Sequence, residues 1–424
     1  MSTTEHAYRA VSEERLRDDI TTNAEYGAIS TDQGWGRTVL TGTDANRGAR
    51  QYLLDRLDAA GLDVRIDAVG NIVGRWVSGG ADPTAPAVAC GSHLDSVPEG
   101  GIFDGVLGVY SALEAVRALQ DAGRDLARPI EVVCFTEEEG GRFSNGVLGS
   151  SVASGNRTVE DALALEDGEG VTLEAALTDI GFRGTGRLDA SEWDSWLELH
   201  VEQGERLQDA NAAVGIVSAI TGTIRCEVDV VGEANHSGST AMDARTDALA
   251  AASELVLEVE AAANDVLDER GGAVVGTVGK LDVSPNAINV VPGRVELGID
   301  VRDVQYASME RVVERIRDCL AGLETERGVE VSFERPYDIA PSRMSDRCIA
   351  ALEQAAATVD ASSQSLHSGA GHDTMHVADV TDTGLLFAPS RGGFSHSPRE
   401  WTEWSSCTTA TRVLTAGLQR LAEA

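Results

Sequence analysis

The chain has 424 residues, too many for a single hydrophobic core, so two domains are expected. It carries 69 acidic residues against 34 basic ones, a formal net charge of -35, and Lys280 is the only lysine. This charge repels nucleic acids and anionic membranes, so neither is expected as a partner. The acidic residues are spread along the chain and 42% of all residues are hydrophobic, which favours a folded, salt-adapted (halophilic) protein over a disordered acidic one.

The six cysteines are far apart in the sequence, and several lie within apolar runs. They are expected to be buried free thiols and not a disulfide framework. The amino terminus is polar, and no stretch has the length and apolar character of a signal peptide or a membrane span. We therefore expect a cytoplasmic protein.

The first part of the chain predicts two amphipathic helices and then a strand pair. The helices are expected over residues 7–26 and 44–60, with Asp44 as the cap of the second. Residues 64–66 and 72–77 have strand character, and the Gly-Asn pair between them is a strong hairpin signal.

A short, turn-rich stretch then contains His93, Asp95 and Asp104. It follows an apolar run at 85–90, which predicts a buried strand, and precedes helical spacing at 106–122. Open α/β sheets bind ligands at the carboxyl ends of their strands. The stretch therefore favours a metal site in which a second carboxylate bridges two cations, and an acidic surface loop with an incidental histidine is the alternative.

Two further strands end in polar side chains. The buried strand predicted at 130–135 leads directly into three glutamates at 137–139, and the strand predicted from Ser195 carries His200 near its end. Repulsion within the glutamate cluster favours a metal site or a raised pKa, against a solvated acidic turn. An isolated histidine is more often structural than a ligand, but His200 shares the strand-end position of the other candidates. The segment 161–180 is expected to be helical.

From about residue 221 the pattern changes to strand, helix, strand, strand, helix, strand, the split unit of ferredoxin-like domains. We predict an α/β fold in which a catalytic metal-binding domain, 1–220 with 336–424, has a mixed central sheet flanked by helices. The α+β unit, 221–335, is expected to be a separate domain inserted into the first. The six predicted elements of the insert are 223–231, 245–263, 273–281, 294–301, 307–323 and 329–334.

Three polar residues of the insert stand out. His236 lies in a flexible glycine- and serine-rich loop, Asn289 in a turn, and Arg302 at a strand end. A strand-end arginine is usually a surface charge, and anion binding is the functional alternative.

The last part of the chain returns to the first domain. Helices are expected at 345–359 and 407–421, with a strand at 384–388 between them, and His396 lies in the loop after that strand. The glycine-rich turn at 368–373 lacks phosphate-loop spacing, so nucleotide binding is not expected.

Three imidazoles and two carboxylates, if they converge, give each of two cations three protein ligands when one carboxylate is shared. Mixed nitrogen and oxygen donors suit zinc, manganese, cobalt or nickel, and the ligand types do not choose among them. A water between paired cations is acidified and becomes a nucleophile. Glu138, beside a ligand, is then the natural proton shuttle. The five ligand candidates are His93, Asp104, Glu139, His200 and His396.

On these residues the chain resembles the dinuclear metal-dependent amidohydrolases that include N-carbamoyl-L-amino acid hydrolase, allantoate amidohydrolase and β-ureidopropionase, relatives of the aminoacylase and carboxypeptidase superfamily. The matching segments follow one another in the family's order over nearly the whole chain. They are 91–98 (Gly-Ser-His-Leu-Asp-Ser-Val-Pro), 101–105, 135–140, 197–204, 232–238, 286–293, 368–373 (Ser-Gly-Ala-Gly-His-Asp) and 395–398.

The resemblance implies a role for each metal ligand. His93, Asp104 and His200 would hold one ion, while Asp104 would bridge to a second ion held by Glu139 and His396. Two further residues complete the chemistry that the resemblance implies. Asp95 would orient His93, and Glu138 would take the proton of the water and return it to the leaving nitrogen.

The resemblance also implies the substrate contacts. His236 would stabilise the oxyanion, Arg302 would bind the substrate carboxylate, and Gln203 and Asn289 would complete the pocket, with the turn at Ser368 and Gly369 also in contact with substrate. The loop after His236 reads Ser-Thr-Ala-Met where Thr-Thr-Pro-Met is common, and loss of the proline is expected to loosen it.

The expected activity is hydrolysis of the carbamoyl C–N bond of an N-carbamoyl-L-amino acid or a related small ureido acid, giving the amino acid, ammonia and carbon dioxide. Allantoate amidohydrolase is the chemical alternative, with an aminoacylase, a dipeptidase or a catalytically silent binding protein on the same fold as more distant ones. The resemblance further implies a homodimer in which the insert, 221–335, is the dimerisation domain and residues of one subunit can complete the site of the other. The insert is also expected to act as a lid that closes over the substrate by a hinge motion.

Overall fold

The computed structural model describes residues 6–144 and 146–424, which form two compact units. The first unit runs to Ser218 and resumes at Arg343, and the second comprises Ala219–Ser342. In the described ranges, no helix combines the length and the apolar character needed to cross a membrane.

Both units contain helices and strands. The α-helices are α1 (Glu13–Ala24), α2 (Asp44–Ala59), α3 (Val106–Asp121), α4 (Leu148–Ala153), α5 (Val159–Leu163), α6 (Leu173–Asp179), α7 (Arg206–Asp209), α8 (Ala248–Arg270), α9 (Tyr306–Arg327), α10 (Asp346–Val359), α11 (Thr374–Val377) and α12 (Trp404–Glu423). The strands are β1 (Ala28–Ile29), β2 (Gly36–Arg37), β3 (Asp63–Ile66), β4 (Ile72–Trp76), β5 (Val88–His93), β6 (Ile130–Phe135), β7 (Ser195–Val201), β8 (Val214–Ile220), β9 (Gly222–Val231), β10 (Asn235–His236), β11 (Val275–Ser284), β12 (Val290–Val291), β13 (Arg294–Asp303), β14 (Glu330–Ile339), β15 (Ser342–Arg343), β16 (Ser363–Ser368) and β17 (Asp382–Ala388).

The large sheet of the first unit has the order β15-β8-β17-β7-β5-β6-β4-β3, with β16 paired to β8. Its centre is parallel: β17 pairs with β7, β7 with β5, and β5 with β6. The pairs on either side, β8 with β17 and β4 with β6, are antiparallel. This mixed sheet with flanking helices confirms the predicted α/β class.

The parallel strands are buried on both faces, as continuous apolar runs require. Helix α3 is buried almost all round because it packs between the sheet and α12. Its apolar side chains join those of β5, β6 and β7 in one core cluster. This core fixes the strand ends from which the candidate ligands emerge.

The second unit is a four-stranded antiparallel sheet of order β11-β13-β9-β14. Helices α8 and α9 pack together and against this sheet, and their apolar side chains form a second core with alternate residues of β9 and β13. In chain order the unit reads β9, α8, β11, β13, α9, β14.

The predictions for the segment 161–180 and for the cap of α2 were wrong. The segment 161–180 is not one helix: α5 and α6 are separated by a turn in which the Asp167 carboxylate accepts hydrogen bonds from the backbone N–H groups of Glu169 and Val171. Such local bonds compete with helix formation. The cap of α2 is Thr43, whose hydroxyl accepts from the N–H of Asn46, and Asp44 is the first helical residue. Strands β8 and β16 were not predicted.

Candidate metal centre

The candidate ligands meet at one edge of the large sheet because four adjacent parallel strands end there. His93 is the last residue of β5, His200 is the second-last of β7, and the glutamates follow β6. His396 lies in the loop after β17. The structure therefore brings these strand ends together, as the sequence predicts.

The first group contains two buried histidines on one oxygen of Asp104. The His200 Nε2 atom lies 3.1 Å from Asp104 Oδ1, and His93 Nε2 lies 3.5 Å from the same oxygen. The two imidazole rings are stacked with centroids 5.9 Å apart. Their ligand atoms all lie within 4.8 Å of one another, a spacing that one metal ion can bridge.

The second group uses the other oxygen of the same carboxylate. Asp104 Oδ2 lies 3.7 Å from His396 Nε2, which is 3.2 Å from Glu139 Oε2. These three side chains also offer ligand atoms within 4.8 Å of one another. Asp104 thus presents one oxygen to each group, the arrangement of a bridging carboxylate.

The donor set fits two divalent cations. His93 Nε2 and Glu139 Oε1 are buried and have no hydrogen-bond partner among the described residues, which is unfavourable unless something else binds them. Each group supplies nitrogen and carboxylate oxygen, the mixture that zinc and its neighbours accept.

The tautomers of the two buried histidines suit metal binding. His93 Nδ1 lies 3.1 Å from the carbonyl oxygen of Asp95, and His200 Nδ1 lies 3.0 Å from that of Val201. A carbonyl only accepts, so the proton of each neutral ring is on Nδ1. Each Nε2 lone pair then faces Asp104.

Asp95 contacts His93 through its backbone and not primarily through its carboxylate. The Asp95 carboxylate accepts a hydrogen bond of 3.1 Å from the N–H of Glu139. Its Oδ1 atom lies 3.8 Å from His93 Nδ1, too far for a hydrogen bond. Asp95 therefore contacts two candidate ligands, His93 through its backbone carbonyl and Glu139 through its carboxylate.

Gly105 allows His93 to occupy its position. Its φ is +67°, and a Cβ there would lie 2.5 Å from the His93 ring. Only glycine combines this backbone conformation with so close an approach.

The three consecutive glutamates have three different environments. Glu137 Oε1 accepts from the N–H groups of Arg142 and Phe143, at 2.7 and 2.6 Å, and so holds its own loop. Glu138 Oε2 lies 3.5 Å from His93 Nε2, and Glu139 belongs to the second group. Burial raises the pKa of Glu138 well above its usual value, and nearby carboxylates add to this shift. A basic carboxylate beside the ligand groups suits proton transfer.

Electrostatic contacts also shift the histidines. Burial alone would lower the pKa of His93, but Glu138 and Asp104 outweigh it and hold the pKa well above its usual value. The hydrogen bond to Glu139 raises the pKa of His396, which is half-exposed, to about 9. These shifts show a surplus of carboxylate charge at the ligand groups.

The predicted substrate contacts in the first unit lie at or near these groups. Gln203 has a φ of +57°, and its amide Nε2 donates to Asp104 Oδ2 at 2.9 Å and to Ser395 Oγ at 3.2 Å. Ser368 is buried, and its hydroxyl lies 2.9 Å from His372 Nε2. Gly369 is exposed, and a Cβ there would meet no atom within 4 Å.

The other predicted contacts belong to the second unit, where His236 and Asn289 are neighbours. Both are exposed, and the N–H of Ser237 donates to the Asn289 carbonyl across the β10–β12 pair. His236 Nδ1 accepts from the N–H groups of Gly238 and Ser239. The proton of the neutral ring is therefore on Nε2, which is left to donate.

Arg302 lies on β13 of the four-stranded sheet, at the end far from the His236 loop. It pairs with Thr223 on β9, whereas Arg294, near the His236 loop, pairs with Val231. The Arg302 guanidinium donates to Asp300 Oδ1 at 2.7 Å. An anion that bound this arginine would compete with the Asp300 carboxylate.

Sequence reasoning missed two residues beside the ligands. The His372 ring lies edge-on to His200, with centroids 4.5 Å apart, and burial lowers the pKa of His372 well below its usual value. Glu400, five residues after Ser395, is buried next to Asp104. Burial and the Asp104 charge raise the pKa of Glu400 to about 7. His372 lies in the matching segment 368–373, which was the available signal, whereas Glu400 lies two residues beyond the matching segment 395–398.

Known proteins match this chain over nearly its whole length. The sequence profile of Peptidase family M20/M25/M40 matches residues 89–420. An N-carbamoyl-L-amino-acid amidohydrolase from Paenarthrobacter aurescens is 37% identical over 406 residues, covering 95% of this chain and 96% of the relative. An allantoate amidohydrolase from Bacillus subtilis is 34% identical over 410 residues, covering 96% and 97%.

The fold is shared as well. The crystal structure of an amidase of the hydantoinase/carbamoylase family from Burkholderia multivorans superimposes with a TM-score of 0.90 at 32% identity, covering 98% of both chains. The chain therefore belongs to Peptidase family M20/M25/M40.

Proposed function

We propose that this protein is a metal-dependent amidohydrolase that cleaves the carbamoyl C–N bond of an N-carbamoyl-L-amino acid. The observation that carries the proposal is the position of Asp104, whose two oxygens face two separate ligand groups, with Glu138 beside the first. The matched relatives include enzymes named for this reaction.

Two divalent cations, zinc or one of manganese, cobalt and nickel, are proposed at the two groups. When bound, they would acidify a water and polarise the scissile carbonyl. Glu138 accepts the proton of the attacking water and returns it to the leaving nitrogen, so ammonia and then carbon dioxide leave and the amino acid remains. A ureido carbonyl is deactivated by two nitrogens and needs this assistance.

The second unit supplies the remaining groups in this proposal. His236 Nε2–H donates to the oxygen on which negative charge develops, and such donors contribute strongly to acyl-transfer catalysis. Arg302 exchanges Asp300 for the substrate carboxylate, which its planar fork matches. Gln203, Asn289, Ser368 and Gly369 complete the contacts to the ureido group and the backbone of the amino acid.

A homodimer is part of the proposal. The His236 loop lies beside the Arg294 end of β13. Positions 294 and 302 are eight residues apart on this strand, about 27 Å along it. His236 and Arg302 of one chain are therefore too far apart to contact one small substrate. If both contact substrate, each active site takes one of them from each subunit.

Allantoate hydrolysis is the second candidate. It would use the same metal ligands and the same Arg302 guanidinium to bind the substrate carboxylate, and a matched relative is named allantoate amidohydrolase. The side-chain pocket decides between the two substrates.

The test is ammonia release from a panel of N-carbamoyl-L-amino acids, N-carbamoyl-β-alanine and allantoate, in high salt with added manganese or zinc. We expect turnover of N-carbamoyl-L-amino acids above allantoate. Turnover of allantoate alone would support the second candidate. Absence of turnover on every ureido acid would favour a catalytically silent, metal-stabilised binding protein.

The cellular setting is also proposed. Six free cysteines, five of them buried, fit a reducing compartment such as the cytoplasm. The net charge of -35 fits a salt-rich one.

A further inference from the structure

Glu400 joins the two loops that carry Asp104 and His396. It is 1% exposed, and its Oε1 atom accepts hydrogen bonds from the backbone N–H groups of Phe103 at 2.8 Å and Asp104 at 3.0 Å. Both N–H groups belong to the loop that leads into α3. One carboxylate oxygen therefore holds the backbone of the bridging residue.

The other oxygen of Glu400 binds the second loop through Ser395. The Ser395 hydroxyl lies 3.1 Å from Glu400 Oε2 and 2.7 Å from Asp104 Oδ2. A hydroxyl has one proton, so it donates fully to only one of these carboxylates at a time. When Asp104 Oδ2 binds a cation, Glu400 remains as the acceptor that keeps Ser395, and the adjacent His396, in place.

The packing around Glu400 leaves little freedom. A Cβ at Gly101 would lie 2.3 Å from Glu400 Oε1, so a larger residue at 101 would displace the carboxylate. The neighbouring Trp401 ring stands edge-on to Phe103, with centroids 5.4 Å apart. Apolar contact and hydrogen bonds thus connect the same two loops.

Burying a carboxylate is unfavourable unless its bonds compensate. The three hydrogen bonds of Glu400 described above all go to residues in or next to the second ligand group. We propose that Glu400 is a positioning residue that fixes the spacing between Asp104 and His396 for the second cation. This inference rests on the proposed dinuclear centre.

The proposal predicts different effects on the two cations. Glu400→Ala leaves two buried N–H groups unpaired and releases Ser395, so the second cation should bind about 10–100-fold more weakly, the usual effect of losing such a partner. The first cation should change much less, because His93 and His200 are held by strands. Glu400→Gln keeps one acceptor oxygen and should restore most of the lost affinity.

The measurement is calorimetric titration of metal-free protein with Mn²⁺, together with kcat and KM as functions of Mn²⁺ concentration. We expect Glu400→Ala to show a weakened second binding step, with kcat recovering at high Mn²⁺ and KM for substrate little changed. Gly101→Ala should weaken the same step, and it tests the proposal independently should Glu400→Ala fail to fold.

Glu114 provides a matched control. It is equally buried and binds the Ser12 N–H and the Arg15 guanidinium, between α1 and α3. Glu114→Ala should lower the melting temperature without changing either Mn²⁺ step.

Two outcomes would count against the proposal. Two Mn²⁺ steps of wild-type affinity in both Glu400→Ala and Gly101→Ala would overturn the positioning role alone. A wild-type protein that binds fewer than two Mn²⁺ ions would overturn the proposed function and this inference together.

Discussion

His236 lies beside one end of the four-stranded sheet in the second unit, and Arg302 lies at the opposite end of that sheet. Val231, five residues before His236, pairs with Arg294, whereas Arg302 pairs with Thr223 at the other end of the same two strands. This separation makes a two-subunit active site a testable consequence and not only a family expectation.

Mixed dimers test that consequence. His236→Ala and Arg302→Ala should each lose nearly all activity, but a mixture of the two should recover it, since one site in each mixed dimer has both residues intact. Random exchange at equal amounts should give about a quarter of the wild-type activity. Subunit exchange is verified first. A mixture that then stays inactive would show either that both residues act in the site of their own chain or that they do not contact the substrate.

Glu138→Gln should lower kcat by about 10²–10⁴-fold, the contribution typical of general acid–base catalysis, because the amide does not accept the proton of the water. Metal content, measured by elemental analysis, should stay at the wild-type value. Glu137→Gln is the matched control, because the Glu137 carboxylate holds the loop at Arg142 and Phe143. This variant should lower the melting temperature and change kcat little. Loss of metal in Glu138→Gln would show that the glutamates are wrongly assigned.

Arg302→Lys keeps the charge but removes the planar fork. If Arg302 binds the substrate carboxylate, KM should rise about 10–100-fold, in line with the loss of a charge-assisted bidentate contact, while kcat changes less. Steady-state kinetics on the best N-carbamoyl substrate separates the two constants. An unchanged KM would leave Arg302 as a structural partner of Asp300.

Chelation should destabilise the first unit. Ions that bind only the folded state stabilise it, by about 2.7 kcal/mol at a free concentration of 100 times Kd. Removing them leaves the carboxylates of Asp104, Glu138 and Glu139 close together, with only the neighbouring histidines to compensate their charge. Calorimetric melting with and without chelator should therefore show a reversible fall of several degrees, and His396→Ala should show a smaller one. A melting temperature that is unchanged by the chelator would argue against stabilisation of the folded protein by bound metal.

The ligand groups could be predicted because they depend on a strong signal. His93, His200 and the glutamates follow apolar runs, and parallel strands bring their ends to one edge of a sheet whatever the loops do. The strand pairings around His93 and His200 agree with that reasoning.

Other features depend on contacts that no periodicity records. Glu400 accepts hydrogen bonds from backbone N–H groups almost 300 residues away in the sequence. Only the folded structure shows that these residues are in contact. The helix expected at 161–180 failed because the Asp167 side chain forms a local turn between two short helices. Strand β8 lies in an apolar stretch that sequence reasoning left unassigned, although it pairs with β17 beside the parallel centre of the large sheet.

Crystals of the protein soaked with Mn²⁺ and measured for anomalous scattering test the proposed centre most directly. We predict two peaks about 3.5–4 Å apart, one beside His93 and His200 and the other beside Glu139 and His396, with Asp104 between them. A single peak, or two peaks that do not share Asp104, would contradict the dinuclear centre on which the proposed chemistry depends.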